Sequence, residues 1–340
     1  MTTSKFHDII NLPQFKNTQR KEVNFLMSFF TNDIILSEIC QAKLRRITER
    51  VQYKEYLQYP ITKVFEGTTW KASESDKLKR FMDCGKFLTI DPETGNIMKA
   101  NFCKQRLCPV CNYIKSCINW HKIRNCVEWI KENEEGSHFI FMTLTVRNCS
   151  AENLTATIDQ IVQGFRRLTN RRTWKNAVTG AIRGLEITYN EKENTYHPHI
   201  HILTAVKSDY FNENSGKYIT IEQLREWWSE SAKIDYFVQV DIKAINQTDN
   251  AIAEVAKYAV KMSNLLKADT CEQLIKATQT IYRCTHGRRL IATLGNFKQA
   301  MKELNISDLD ELEIEEKNTH STAIECIWSE KDDCFRIERN

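Results

Sequence analysis

The chain has 340 residues, of which 41% are hydrophobic and 27% are charged, with ten glycines and five prolines. This composition excludes a mainly disordered chain, and the length predicts one large domain with appendages or two domains. The net charge of +4 hides twelve acidic against four basic residues over 303–340, so 1–302 carry +12. A basic body with an acidic tail fits a polyanionic partner and an ordinary basic surface about equally well.

Two features of the sequence indicate in which cellular compartment the protein is expected. The sequence has no run of eighteen or more apolar residues, so we expect no membrane partner. The N-terminus lacks an apolar stretch followed by a small-residue cleavage site, which predicts a cytoplasmic protein. In a long, unsecreted chain, the twelve cysteines indicate metal ligands or free thiols rather than disulfides.

Helical spacing dominates the first part of the chain. Val23, Leu26, Met27 and Phe30 follow an amphipathic pattern, and a second helix begins at about Ile34. We therefore interpret residues 1–80 as a helical N-terminal region, followed by a cysteine-rich segment over 81–130.

From His138 onward, strands and helices alternate. The pattern predicts a β-α-β-β-α-β-α order, with its elements at 138–146, 151–169, 181–190, 199–206, 221–232, 236–245 and 249–263. The hairpin in the middle requires an antiparallel pair, so the fold class is α+β with helices packed on a sheet. This domain is expected over 131–300, and the acidic tail over 301–340.

The sequence HPHIH at 197–201 contains three of the eight histidines. On a strand, His199 and His201 point to one side, because side chains alternate between the two faces. Two imidazoles at this spacing suit a divalent cation. Glu186, on the neighbouring predicted strand, is a candidate third ligand, although an exposed strand carboxylate explains it nearly as well.

A second pattern lies on the last predicted helix. Glu254, Tyr258 and Lys261 are spaced by four and three residues, which places them on one helical face. A tyrosine hydroxyl is a weak nucleophile unless a cation stands nearby, and Lys257 or Lys261 would supply one. Without other evidence, such a pattern is typical of a solvated helix face.

Four cysteines form a third pattern: Cys84, Cys103, Cys108 and Cys111. The last two enclose Pro109 and Val110 in a C-x2-C knuckle, a spacing typical of tetrahedral structural zinc sites. Four thiolates leave no open position on the ion, so the predicted zinc is structural. The competing interpretation is a set of reduced thiols in a core.

Together these motifs resemble the rolling-circle replication initiators of small plasmids from Gram-positive bacteria, within the HUH endonuclease superfamily. The segments 141–148, 197–203 and 254–261 resemble the three motifs of that family in order. The segments 84–88 and 101–111 resemble its cysteine-rich region, and 287–298 resembles its closing block. The resemblance implies an HUH-type central antiparallel sheet of five strands with flanking helices.

The resemblance also implies roles for individual residues. His199 and His201 would bind Mg2+ or Mn2+, and Tyr258 would attack the scissile phosphate of single-stranded origin DNA. The products would be a 5′-phosphotyrosine link and a free 3′-hydroxyl primer. Glu254 would activate water at termination. The implied partners are the double-strand origin with a hairpin loop at the nick site, a host helicase and a host DNA polymerase, with homo-oligomer formation possible.

The DNA-binding surface is less clearly marked. A basic and aromatic cluster is formed by Arg166, Arg167, Arg171, Arg172 and Trp174, and Lys257 is a further candidate. The cluster is equally well explained as the exposed end of a helix. The cysteine-rich segment and the N-terminal helices are alternative origin-binding surfaces.

Three other functions compete with an initiator. A mobilisation relaxase or a single-strand transposase would share the chemistry. A zinc-containing DNA-binding regulator would bind the origin without metal-dependent cleavage. A metal-dependent hydrolase of another substrate would not need Tyr258.

Overall fold

The computed structural model describes residues 36–66, 72–257, 268, 270–312 and 323–339. The chain divides into two compact units, which are described separately. The predicted helix around Val23–Phe30 lies outside the described residues. Within the described ranges, no helix is both long enough and apolar enough to cross a membrane.

The described residues of the first unit form two helices, α1 (Glu38–Glu66) and α2 (Ala72–Asp83), and a four-stranded antiparallel sheet. Helix α1 corresponds to the second helix predicted from the sequence. It buries Cys40, Leu44, Ile47 and Val51, which recur every three or four residues. The sheet has the order β2-β1-β8-β9, with β1 at Phe87–Ile90, β2 at Ile97–Ala100, β8 at Ile324–Ser329 and β9 at Cys334–Arg339.

Strands β8 and β9 lie in the segment that the sequence analysis describes as an acidic tail. They pair with each other, and β8 pairs with β1. In β8, Ile324, Cys326 and Trp328 are buried and alternate with more exposed residues. This alternation is the signature of a strand with one buried face, and it overrides the surrounding acidic composition.

The second unit contains a five-stranded antiparallel sheet with flanking helices, which confirms the α+β prediction. The strand order is β6-β3-β5-β4-β7, with β3 at His138–Thr145, β4 at Val178–Asn190, β5 at Thr195–Val206, β6 at Val240–Ile245 and β7 at Ile291–Gly295. In the part of this unit that the structure describes, the α-helices are α3 (Pro109–Asn133), α4 (Leu154–Asn170), α5 (Arg172–Ala177), α6 (Ile221–Ala232), α7 (Asp249–Ala256), α8 (Cys271–Thr285) and α9 (Asn296–Glu303). The predicted hairpin is formed by β4 and β5.

One face of this sheet positions the candidate site. At one end of that face, Phe139, Ile182, Leu203 and Ala205 pack in a core to which α3, α7 and α9 contribute. Towards the other end of β5, alternate residues of the same face are His201 and His199. The histidines therefore stand beside the apolar core, on the face that α7 covers.

The prediction of one continuous helix over 249–263 is wrong. Helix α7 ends at Ala256, and Lys257 has the non-helical backbone angles φ −56° and ψ 145°. Glu254 is on the last turn of this helix, and the one-face arrangement inferred for Glu254, Tyr258 and Lys261 does not apply, because it requires an unbroken helix. Tyr258 and Lys261 themselves lie outside the described residues.

Candidate metal centre

The two histidines and the predicted carboxylate come together in the second unit. Strand pairing sets His199 opposite Glu186 on β4 and opposite Thr145 on β3. The ligand atoms of Glu186, His199 and His201 all lie within 4.8 Å of one another. The two Nε2 atoms are 3.5 Å (His199) and 3.2 Å (His201) from the same oxygen, Glu186 Oε2. The Glu186 residue is only 3% exposed.

The other nitrogen of each ring contacts an oxygen outside this group. His199 Nδ1 is 3.1 Å from the His197 carbonyl oxygen, and His201 Nδ1 is 3.3 Å from Thr143 Oγ1. A carbonyl oxygen can only accept, so His199 Nδ1 donates to it and the ring presents its Nε2 to Glu186. The Nε2 atoms of both rings thus face the same oxygen of a buried carboxylate. The donor set of two imidazoles and one carboxylate therefore fits a divalent metal ion.

Ring contacts hold the two imidazoles in place. Phe141 stacks on His201 with the ring centroids 5.7 Å apart, and His197 stacks on His199 at 5.2 Å. Burial lowers the pKa of His197, and the neighbouring His199 lowers it further. Thr143 and Phe141 were not predicted from the sequence as supporting residues. Their positions on alternate residues of β3, opposite the histidine-bearing strand, are the signal that could have identified them.

Helix α7 approaches this group directly above β4. A Cβ atom placed on Gly184 would lie 2.7 Å from the Val255 carbonyl oxygen, and strand pairing sets Gly184 opposite His201. The last turn of α7 therefore runs next to the metal-binding group. On this turn, Glu254 forms an ion pair with Lys257, with the two side chains 37% and 39% exposed.

The four predicted cysteines also come together. The sulfur atoms of Cys84, Cys103, Cys108 and Cys111 lie within 4.8 Å of one another, and all four residues are buried. The Cys103 backbone N–H donates to Cys84 Sγ at 3.3 Å. Cys108 is the residue at the N-cap position of α3, and Cys111 lies in the first turn of that helix. This buried cysteine group could hold a metal ion.

Trp174 was predicted as the aromatic member of the DNA-binding cluster, but the structure buries it. It is 1% exposed, and its ring packs edge-on against Phe165, so it cannot stack on a base. The aromatic ring next to these arginines is instead Trp227, whose centroid lies 5.7 Å from the Arg171 guanidinium carbon. Arg171 also pairs with Glu230, whereas Arg166, Arg167 and Arg172 are exposed at the end of α4 and the start of α5.

Comparisons with known proteins found related sequences. A family model described as "Replication protein" matches residues 94–334. The chain is 31% identical over 287 residues to "Protein rep" of Streptococcus pneumoniae serotype 2 (strain D39 / NCTC 7466), with 81% of this chain and 88% of the relative covered. It is 32% identical over 305 residues to "Protein rep" of Bacillus amyloliquefaciens, with 82% and 86% covered.

Over a shorter alignment of 189 residues, the chain is 35% identical to "Protein rep" of Staphylococcus aureus, with 54% of this chain and 82% of the relative covered. No solved structure matches the chain. The resemblance inferred from the motifs is thus confirmed by matches that extend over most of the sequence. The chain belongs to the replication protein family.

Proposed function

We propose that the protein initiates replication by nicking single-stranded DNA at its origin, with Tyr258 as the nucleophile. The Tyr258 hydroxyl loses its proton, and its oxygen forms a bond to the scissile phosphorus. The bond from that phosphorus to the 3′-oxygen breaks, and the 3′-oxygen takes up a proton. The products are a 5′-phosphotyrosine link and a 3′-hydroxyl that primes synthesis.

The group of Glu186, His199 and His201 carries this proposal. In a replication protein, a buried carboxylate with two oriented imidazoles is suited to a Mg2+ or Mn2+ ion that stabilises the charge of the scissile phosphate and orients it. The residues of the chain contribute the orientation: Thr143 and the His197 carbonyl fix the rings, and the contact between Gly184 and Val255 brings α7 alongside.

The described tyrosines nearest to the histidines in sequence are poor nucleophiles. Tyr196, three residues before His199, is 1% exposed, and burial raises its pKa to about 12. Tyr189, on β4, is 4% exposed and donates its hydroxyl to Asn194. Tyr258 is the second residue after α7, the helix that passes beside the group, and this proximity in sequence supports its assignment.

Glu254 is proposed to activate the water that ends the round. Its carboxylate is accessible on the last turn of α7, beside its ion-pair partner Lys257, and a carboxylate is a suitable general base. Water activated in this way would hydrolyse the phosphotyrosine link and release the enzyme. Lys257 and Lys261 are proposed to offset the negative charge that develops on the phosphate.

The cysteine group is proposed to bind Zn2+ in a structural role. Four thiolates match the closed tetrahedral coordination of structural zinc and leave no position for substrate. The fully buried Lys54 donates to the carbonyl oxygens of Met82 and Cys84 at 2.7 and 2.6 Å. This ammonium group thereby fixes the backbone of Cys84, one of the four proposed zinc ligands.

Membership of the replication protein family implies that origin DNA is bound. The exposed Arg166, Arg167 and Arg172 are candidates for contacts with its phosphates. A host helicase, a host polymerase and a second copy of the chain are proposed partners in replication, and a mobilisation relaxase or a transposase would use the same chemistry.

The test is incubation of the full chain with supercoiled plasmid carrying the cognate replicon, with Mn2+ or Mg2+ or with EDTA, followed by a denaturing gel and peptide mapping. We expect metal-dependent nicks and a DNA-linked peptide that contains Tyr258. Tyr258→Phe should bind DNA but form neither nick nor adduct, whereas the matched control Tyr282→Phe should retain both.

Two results would contradict the proposal. An adduct that persists in Tyr258→Phe would assign the nucleophile to another tyrosine. Origin binding without any nick, with the metal content verified, would favour the zinc-containing regulator.

A further inference from the structure

A short segment between α6 and β6 is fastened to the end of β3. Thr145 Oγ1 donates to the Gln239 carbonyl at 2.7 Å, and the Arg147 backbone N–H donates to Tyr236 Oη at 3.0 Å. From α6, Arg225 Nε donates to the Val238 carbonyl at 3.2 Å. Three hydrogen bonds therefore fix the segment of residues 236–239 in one conformation, although it is not part of a strand.

This fixed segment exposes an aromatic ring. Phe237 is 74% exposed, although apolar rings of this size are usually buried. The Arg225 guanidinium carbon lies 4.8 Å from the centroid of the Phe237 ring, and the Arg147 carbon lies 3.5 Å from that of Tyr236. Two arginines thus stand beside two neighbouring aromatic rings, and Phe237 still has most of its surface open to solvent.

The segment lies next to the metal-binding group. Thr145 pairs with His199 across the two strands, and Arg147 is the second residue after Thr145. Two residues of extended chain span at most about 7 Å, so the arginine-aromatic pairs begin close to the histidines. A DNA strand bound at the histidines would pass this surface with its neighbouring nucleotides.

We propose that Phe237, with Arg225 beside its ring and the Tyr236–Arg147 pair next to it in sequence, is a stacking platform for a base of single-stranded DNA adjacent to the metal centre. An open aromatic face beside cations matches the chemistry of an unpaired nucleotide, because the base stacks on the ring and the phosphate meets a guanidinium. A base inside a duplex is already stacked on its neighbours and cannot use this ring. The platform rests on the proposed function, and it specifies which surface selects single strands.

The test compares binding of a fluorescein-labelled dT15 oligonucleotide and a 15-bp duplex by anisotropy, without added Mg2+ or Mn2+, with the full chain. We expect Phe237→Ala to weaken dT15 binding about ten-fold, as loss of one stacked base would, and to change duplex binding less than two-fold. Phe237→Trp, which keeps an aromatic ring at this position, should bind dT15 as tightly as the unmodified chain does. Tyr218→Ala is the matched control, because Tyr218 is another exposed aromatic residue, at 55%, and should bind both probes as the unmodified chain does.

An unchanged dT15 affinity in Phe237→Ala, or an equal loss with the duplex, would overturn the platform. Thermal unfolding checks that the variant is folded, and little change is expected at so exposed a position. Plasmid nicking by the unmodified chain separates the two proposals. If the unmodified chain nicks the plasmid and Phe237→Ala binds dT15 normally, only the platform is rejected. If Phe237→Ala selectively loses dT15 binding, the platform is supported, even when the unmodified chain does not nick.

Discussion

The Val255 carbonyl oxygen lies so close to Gly184 that a Cβ on residue 184 would be only 2.7 Å away. This separation is shorter than real Cβ contacts, and the opposing atom belongs to the backbone of α7, which cannot rotate aside. The absence of a side chain at one position of β4 therefore sets how closely the helix approaches the histidines.

Gly184→Ala should push α7 away from the sheet and slow nicking at least ten-fold, while Mn2+ binding to the Glu186, His199 and His201 group changes little. Nicking rates and Mn2+ titration calorimetry measure the two effects. The control is Gly216→Ala, where φ is +64° and no atom lies within 4 Å of the added Cβ. It should cost about 1 kcal/mol of stability through backbone strain and leave nicking intact. Normal nicking by Gly184→Ala would show that the position of α7 is unimportant for the reaction.

Thr143→Val should lower Mn2+ affinity about ten-fold, because it removes the hydroxyl that orients His201 while keeping the side-chain shape. Titration calorimetry measures the affinity directly. Thr145→Val is the matched control, since Thr145 faces the same side of β3 but its hydroxyl bonds to a backbone carbonyl. Equal affinities in the two variants would remove the orienting role of Thr143.

The periodicity of apolar residues predicted those secondary-structure elements that are determined by residues close together in sequence. The alternation in 197–201 placed both imidazoles on one face, and the predicted helix at 221–232 coincides with α6. The hairpin followed from two β-rich runs around a polar turn, and it brought Glu186 opposite His199. These features can be predicted from the two-residue period of a strand and the 3.6-residue period of a helix alone.

The features that the sequence analysis missed depend on contacts between distant segments. Nothing near Gly184 in sequence indicates that Val255 will lie above it, and the burial of Trp174 depends on packing against α4. The end of α7 at Ala256 was missed because the apolar spacing continues beyond it. Strand β8 was detectable by its alternation, but the acidic composition of the segment drew the interpretation towards a tail.

Lys54→Met should destabilise the fold by about 1–3 kcal/mol, because two buried carbonyl oxygens lose their charged donor. It should also weaken Zn2+ binding about ten-fold, since the backbone of Cys84 loses the donor that fixes it. Urea unfolding and competition with a chromophoric chelator measure the two quantities. Lys86→Met is the control, because Lys86 pairs with a Glu330 side chain that is 76% exposed, and such pairs contribute little.

Cys108→Ser should bind less than one zinc per chain and unfold at lower denaturant concentration, because zinc binding is coupled to folding. If this variant retains one zinc per chain, the cysteine group is not the binding site. If Lys54→Met loses stability but keeps full zinc affinity, the buried ammonium serves the backbone carbonyls alone.

Glu254→Gln should form the phosphotyrosine adduct at a normal rate but release it at least a hundred-fold more slowly, because the amide cannot accept a proton from the attacking water. A two-step assay separates the events: a labelled oligonucleotide is cleaved first, and decay of the covalent adduct is then followed on a denaturing gel. Lys257→Met is the informative control, since it removes the ion-pair partner of Glu254 but leaves the carboxylate in place. It should slow release less than Glu254→Gln does, because the base remains and only its charge partner is lost. Rapid release by Glu254→Gln would mean that another group activates the water.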